Sequence, residues 1–299
     1  MFYTCLGLIC SYISTIMFYQ GFSRLFAFVI IILVASCNPA VKKSHLNTER
    51  IVSLDGSITE VLCAIGLEKN IVGVDVTSTY PESMNALPKA GHNRNVNVEG
   101  VIAMHPTVIF VLENGLKPEA EQQFVSAGVQ LVKCKKENDI QGAKNLIKQI
   151  ADTLGKNEQV PVLWKQIDDD LATVKKYDSQ PKVLFIYARG VGTMSVAGKK
   201  TALDKMIELA GGVNAASEIE DFKPFTAESI VKENPDVILF FDTGLESLGG
   251  GEGLLKVPGI AATNAGKNKK FIAMDGLFLT GFTPRVGKAV AELSTLIHQ

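Results

Sequence analysis

NVEGVIAMHPTVIF (97–110) and TAESIVKENPDVIL (226–239) are the two stretches whose reading decides the fold. In each, a glutamate (Glu99, Glu228) opens a helical stretch, a proline follows seven residues later (Pro106, Pro235), and an apolar run rich in β-branched residues comes next. Proline ends the helix and the apolar run reads as a buried strand, so both stretches spell helix–corner–strand. Two readings are open. Helix–proline–strand units are common in α/β proteins and can coincide by chance. Alternatively, the chain holds two lobes related by a pseudo-twofold, each presenting one equivalent glutamate.

Working outward, the same alternation surrounds both copies. IVSL (51–54), IVGVD (71–75), TVIFVL (107–112) and VQLVKC (129–134) read as strands separated by helical stretches. After Pro181 the pattern resumes with VLFIYA (183–188), DVILFF (236–241) and KKFIAM (269–274), closed by a helix from about Pro284 to Ile297. Short β-branched strands alternating with helices predict parallel sheets covered on both faces. Residues 139–179 carry no convincing strand; instead Leu163, Ile167, Leu171 and Val174 recur at helical spacing over Glu158 to Tyr177. The expectation is an α/β protein with two Rossmann-like lobes, 50–155 and 181–299, joined by a long linking helix within 156–180. A ligand cleft then lies between the lobes. A helical connection, unlike a Gly/Ser linker, holds lobes at a nearly fixed separation.

The N-terminus reads differently. Leu25 to Ser36, LFAFVIIILVAS, is an apolar run of 12 residues, preceded by Arg24 and followed by Val34-Ala35-Ser36-Cys37. It is too short to span a bilayer, and a basic flank, a short apolar core and small residues at a cut site describe a signal peptide over 1–36. An uncleaved anchor helix is the alternative, and Met17 is an alternative start. Among the five cysteines, Cys5 and Cys10 fall in this leader, and Cys63 sits in an apolar helical pattern that suits a buried thiol. No C-x-x-C pair occurs, and nothing in the sequence supports a Cys63–Cys134 disulfide. With 30 basic against 31 acidic side chains, the chain carries no single-sign field that would suit nucleic acid.

RIVSLDGSITEVLCAIG (50–66), the two repeat copies and the helix between them resemble the substrate-binding proteins of ABC importers that carry cobalamin, ferric siderophores or haem. The small-small-Cys ending of the leader resembles a bacterial lipobox, which makes Cys37 the acylated first residue of the mature chain and 37–49 its tether. Within this class, Thr79-Tyr80-Pro81, Leu87-Pro88, Gly91-His92-Asn93-Arg94 and Leu279-Thr-Gly-Phe-Thr-Pro-Arg285 look most like the haem-uptake (HmuT-like) binders. The resemblance implies that Tyr80 is the axial ligand of ferric haem. It also implies that Glu99 and Glu228 meet arginines of the permease dimer, whose ATPase subunits supply energy. His92 stands where tyrosine is expected and Thr283 where a second glycine is expected.

The chemistry agrees with that expectation. Ferric iron is a hard acceptor and a phenolate is a hard anionic donor. A free phenol titrates near 10, so an iron centre and a nearby cation are needed to favour the anion, and Arg94 is the candidate helper. Haem propionates suit arginine forks, for which Arg189 and Arg285 are candidates. His92 lines the cleft or supplies a second axial ligand; the other three histidines form no metal-spaced pair. The sequence lacks a G-x-S-x-G elbow, a dinucleotide-type glycine loop and a G-x-x-x-x-G-K-[ST] motif; Gly249–Gly253 reads as a mobile loop. The expectation is therefore a monomeric, lipid-anchored, extracytoplasmic haem binder and not an enzyme.

Overall fold

In the computed structural model, residues 46–299 are described, apart from Asn93 and Val191. The expected signal peptide, Cys37 and the tether as far as His45 lie outside the described residues. Leu46–Gln299 pack as one unit.

The first sheet grows from β1 (Ile51–Ser53), whose three residues are all buried. Buried Asp55 ends the strand and caps α1 (Gly56–Ala64), its carboxylate accepting from the N–H groups of Ser57 (2.9 Å) and Ile58 (3.3 Å). Beyond α1 come β2 (Ile71–Val74), a two-residue hairpin of β3 (Gly91–His92) and β4 (Asn95–Val96), α2 (Val98–Ala103) and β5 (Val108–Leu112). Then follow α3 (Pro118–Ser126), β6 (Gln130–Cys134) and α4 (Ile140–Leu154). The strand order is β2-β1-β5-β6, parallel throughout.

A short 3-10 turn leads into α5 (Val160–Ala172), the connection to the second sheet. Its apolar stripe follows the predicted spacing as far as the helix runs: Leu163 and Ile167 are buried and Leu171 partly so, while Val174, also partly buried, lies past the helix end. The helix stops at Ala172 and does not reach Tyr177, because both the N–H and the hydroxyl of Thr173 turn back onto the carbonyl of Asp170 (3.1 and 2.6 Å).

The second sheet comprises β7 (Lys182–Ala188), β8 (Met194–Ala197), β9 (Val213–Asn214), β10 (Phe222–Lys223), β11 (Val237–Phe241) and β12 (Phe271–Met274). Its path is β10-β8-β7-β11-β12, with β9 pairing β7; β8 and β10 form an antiparallel extension of the parallel centre. The helices are α6 (Ala202–Leu209), α7 (Ala227–Glu233), α8 (Asp242–Ser247), α9 (Gly250–Leu254), α10 (Asn264–Lys267), α11 (Gly276–Thr280) and α12 (Val286–His298). The glycine run expected to be a mobile loop is thus a correction: Gly249 takes a positive φ (81°) and starts α9. Cys63 and Cys134 are free thiols.

One continuous core joins α1, α4, α5 and α12 through Ile58, Leu62, Leu146, Ile150, Ile167, Val286 and Leu293. Gly287 lets α12 approach the α5 backbone: a Cβ there would sit 2.6 Å from Asp170 Cβ and 2.7 Å from the Ile167 carbonyl oxygen. The connecting helix is therefore clamped by both lobes along its length.

The two repeat copies match in more than pattern. Asn97 caps α2 and Thr226 caps α7. Each helix runs out into a residue of positive φ, His105 (50°) and Asn234 (44°), and each of these precedes the proline. Arg50, just before β1, donates from its guanidinium to the carbonyls of Met104 (2.6 Å) and His105 (3.0 Å); Lys182, opening β7, donates from Nζ to Glu233 (2.7 Å). Both cations thereby satisfy carbonyls left open at a helix C-terminus. The backbone N–H groups of Arg50 and Lys182 donate to the side chains of Thr107 (3.2 Å) and Asp236 (3.0 Å), the residues that follow Pro106 and Pro235. The two copies occupy equivalent points of their lobes.

Candidate ligand cleft

The loop after β2 is held by its own polar side chains. Asp75 is fully buried; the hydroxyls of Thr77 and Ser78 donate to its two carboxylate oxygens (2.6 and 2.7 Å). Burial pushes the Asp75 carboxyl above its ordinary value, while those two hydrogen bonds pull it down. Thr59 of α1 shares a hydrogen bond with Ser78 (2.7 Å), and the N–H of Gly56 donates to the Thr77 hydroxyl (3.0 Å). Lys89 donates to the carbonyls of Ser78 and Met84 (3.2 and 3.0 Å). Residues 75–79 are so fixed on the β1–α1 corner. Tyr80 comes at the end of that fixed segment and is 43% exposed.

Its ring meets a cation from the other lobe. The guanidinium carbon of Arg285 lies 3.5 Å from the Tyr80 ring centroid and 4.9 Å from that of Phe278. Arg285 is held there by a bidentate fork, Nε and Nη2 donating to the two oxygens of Glu60 (2.9 and 2.8 Å). The Glu60 side chain is 3% exposed and that of Arg285 18%.

These residues border a cleft between the lobes, in two adjoining hollows. One, of about 370 Å³, is lined by Tyr80, Arg285, Phe278, Met274 and Glu292. The other, of about 450 Å³, is lined by Ser57, Val76, Thr77 and Lys136 from one lobe and by Phe241 and Leu277 from the other. Thr79, Asp242 and Asp275 belong to both. Burial, then Asp275 and Glu246, push the Asp242 carboxyl up. Lys136 follows β6 and crosses the cleft floor, its ammonium donating to Ser57 Oγ (2.8 Å) and the Thr280 carbonyl (3.4 Å). Burial lowers its pKa, against an opposing pull from Asp55. Above Phe241, the rings of Phe185 (4.8 Å) and Tyr187 (6.2 Å) continue an aromatic group that ends in half-exposed Phe222.

The expected site residues divide. Tyr80 and Arg285 meet at the cleft, but Arg285 is not the free fork expected for a propionate, since two of its N–H groups are committed to Glu60. Arg94 is placed elsewhere. The cation on the Tyr80 ring is Arg285, whereas Arg94 lines a separate hollow of about 190 Å³ with Val98, Lys117 and Glu119. The β3–β4 hairpin carries Arg94 toward α3 instead. His92 is exposed on that hairpin, its Nδ1 accepting from the Arg94 N–H (3.3 Å). Arg189 is exposed at the β7–β8 turn, 5.6 Å over the Tyr187 ring. Glu99 and Glu228 are both exposed, each in the first turn of its helix. Sequence reasoning missed Glu60, Lys136, Phe241 and Phe278. For Glu60 a signal existed: a carboxylate inside the apolar pattern ITEVLCAIG must be buried, and a buried carboxylate needs a cation.

The family model for periplasmic binding proteins matches residues 51–276. The chain belongs to that family. Among solved structures, it is similar to the periplasmic heme-binding protein RhuT from Roseiflexus sp. RS-1, at a TM-score of 0.80 and 39% identity, covering 84% of this chain and 98% of that one. Among curated proteins, it is 28% identical over 257 residues to the uncharacterized ABC transporter substrate-binding lipoprotein YvrC of Bacillus subtilis, covering 84% of this chain and 80% of the relative. It is also 27% identical over 198 residues to the vitamin B12-binding protein of Yersinia pestis, covering 65% of this chain and 70% of the relative. The two-lobed α/β architecture expected from the sequence is that of this family.

Among the described residues, no three His, Cys, Asp or Glu side chains converge to hold a metal ion, and no helix is long and apolar enough to cross a membrane. The cleft offers apolar and aromatic walls with a phenol, a guanidinium and carboxylates at its edge, a lining suited to a large, largely apolar ligand with polar ends.

Proposed function

We propose that this periplasmic binding protein captures haem between its lobes and delivers it to an ABC-type importer. The observation that carries the reading is Tyr80: a half-exposed phenol at the cleft, on a loop pinned by Asp75, with a guanidinium stacked on its ring. The phenolic oxygen takes the axial position of ferric iron, which is part of the cargo. Phe241, Phe278 and Leu277 cover the porphyrin, and Arg189, over the Tyr187 ring of the aromatic group, receives a propionate. Arg285 serves the phenolate in place of Arg94. The similarity to a heme-binding protein at 39% identity supports the same ligand class.

Delivery uses Glu99 and Glu228, two exposed carboxylates at equivalent points of the lobes, as contacts for arginines of a twofold permease dimer; its ATPase subunits supply the energy. The protein acts as a monomer on the extracytoplasmic face, tethered through acylated Cys37.

Titration with haemin tests the reading. Wild-type protein is expected to give a Soret shift and a tyrosinate-to-iron charge-transfer band; Tyr80→Phe loses the band and binds about 100-fold more weakly, ~2.7 kcal/mol. Indifference of the wild type to haemin would sink it. Binding of cobalamin instead would favour the second reading, which the vitamin B12-binding relative supports.

A further inference from the structure

We propose that Glu60 is a positioning residue that makes the grip of Tyr80 on iron depend on how far apart the lobes stand. The inference rests on the haem reading and adds to it a residue that touches no ligand. Glu60 lies in the middle of α1, on the same lobe as Tyr80, whereas its partner Arg285 is 225 residues away at the start of α12. Among the ion pairs of the described residues, this one ties the first lobe directly to the second; Lys144–Asp168 reaches only the connecting helix.

Each end of the pair is anchored to its own lobe. Thr59, beside Glu60, is hydrogen-bonded to Ser53 and Ser78, and so to the loop that presents Tyr80. Arg285 leads into α12, which is seated on α5 through Gly287 and packs against α6 of the second lobe. A bidentate fork is directional, and the guanidinium it aims lies 3.5 Å from the ring centroid. Parting the lobes draws Arg285 away from Glu60 and from the Tyr80 ring together. The phenolate then loses its cation, takes a proton from solvent as iron leaves, and releases the haem. A permease that opens the cleft thereby weakens the bond it must break.

The test is transfer of haemin to excess apomyoglobin, followed beside the charge-transfer band. Glu60→Gln, which keeps shape but loses the charged fork, is expected to release haemin ~10-fold faster with a shifted band, and Glu60→Asp to recover part of the wild-type rate. Should Glu60→Gln fold poorly because Arg285 is left unpaired, Glu60→Gln with Arg285→Gln removes that charge and is expected to fold and release quickly. Val61→Ala, a buried neighbour on the same helix, must release at the wild-type rate despite lower stability. Wild-type release and an unmoved band in the Glu60 variants, or equal acceleration by Val61→Ala, overturns the inference. A wild type that gives no haemin spectrum removes the haem reading and this inference with it.

Discussion

The two lobes are alike where a helix turns into the central strand and unlike where they face each other. At the first place they share a capping residue, a left-handed exit, a proline, a cation on the helix carbonyls and a side chain accepting from that cation's own N–H. At the second, one lobe supplies a hydroxyl-rich loop ending in Tyr80, and the other supplies aromatic rings, two aspartates and Arg285. A partner with twofold symmetry asks for equal surfaces, whereas a ligand with distinct ends asks for unequal ones. The lobes also differ in their sheets, four parallel strands against six with an antiparallel edge, but it is the cleft-facing difference that a ligand would read.

The largest effect expected from breaking the shared part is on delivery. Glu99→Ala with Glu228→Ala should abolish uptake while leaving haemin affinity unchanged, and the single substitutions should lose uptake to similar extents. Loss of affinity in the double variant would move these carboxylates from docking to binding. Breaking the divergent part acts on stability first. Asp75→Ala removes the acceptor of the buried Ser78 hydroxyl and of the more exposed Thr77 hydroxyl, at ~1–2 kcal/mol in urea unfolding, and it should weaken haemin binding by loosening the Tyr80 loop. Asp75→Asn keeps an acceptor and should cost less.

Local signals made the scaffold legible. Prolines at 106 and 235, apolar β-branched runs and helical spacing through Leu163 and Ile167 each depend on neighbours in sequence, and they gave both sheets and the connecting helix. Nothing in local spacing singles out Tyr80; the expectation for it came from resemblance alone. What stayed hidden involves residues that meet only when the lobes pack: Glu60 with Arg285, and Lys136 with Thr280, 144 residues away. The placing of Arg94 away from the Tyr80 ring has the same origin. Arg94 lies close to Tyr80 in sequence, but it sits in the turn of the β3–β4 hairpin and lines a different hollow, and the cation that reaches the ring comes from the far end of the chain.

A finer comparison concerns the matched cations. Arg50→Met and Lys182→Met should each cost about 1 kcal/mol in urea unfolding, because each leaves helix carbonyls without a charged donor. Arg50 reaches two carbonyls and Lys182 one, so the first substitution should cost somewhat more. A cost confined to one lobe would mean that the matched geometry carries unequal energy.

The smallest effect tests the unmatched cation. Lys136 brings a charge from one lobe to a cleft floor where the other lobe answers only with the Thr280 carbonyl. Its pKa is lowered by burial from the ordinary 10.5, so between the lowered value and 10.5 the unfolded chain holds a proton that the folded chain does not. Stability contributed by this group therefore rises with pH across that window and levels off above it. Below the window both states are protonated and the cost of burying the ammonium is constant. Lys136→Met removes the group, so the stability of the variant relative to wild type should be highest below the window and should shrink as pH rises through it. Urea unfolding of both proteins across the same pH series isolates this term, since every other titrating group is common to the two. A difference that stays flat over the series would mean that the ammonium keeps its water, and that the lobes meet at the floor less closely than the Ser57 and Thr280 contacts require.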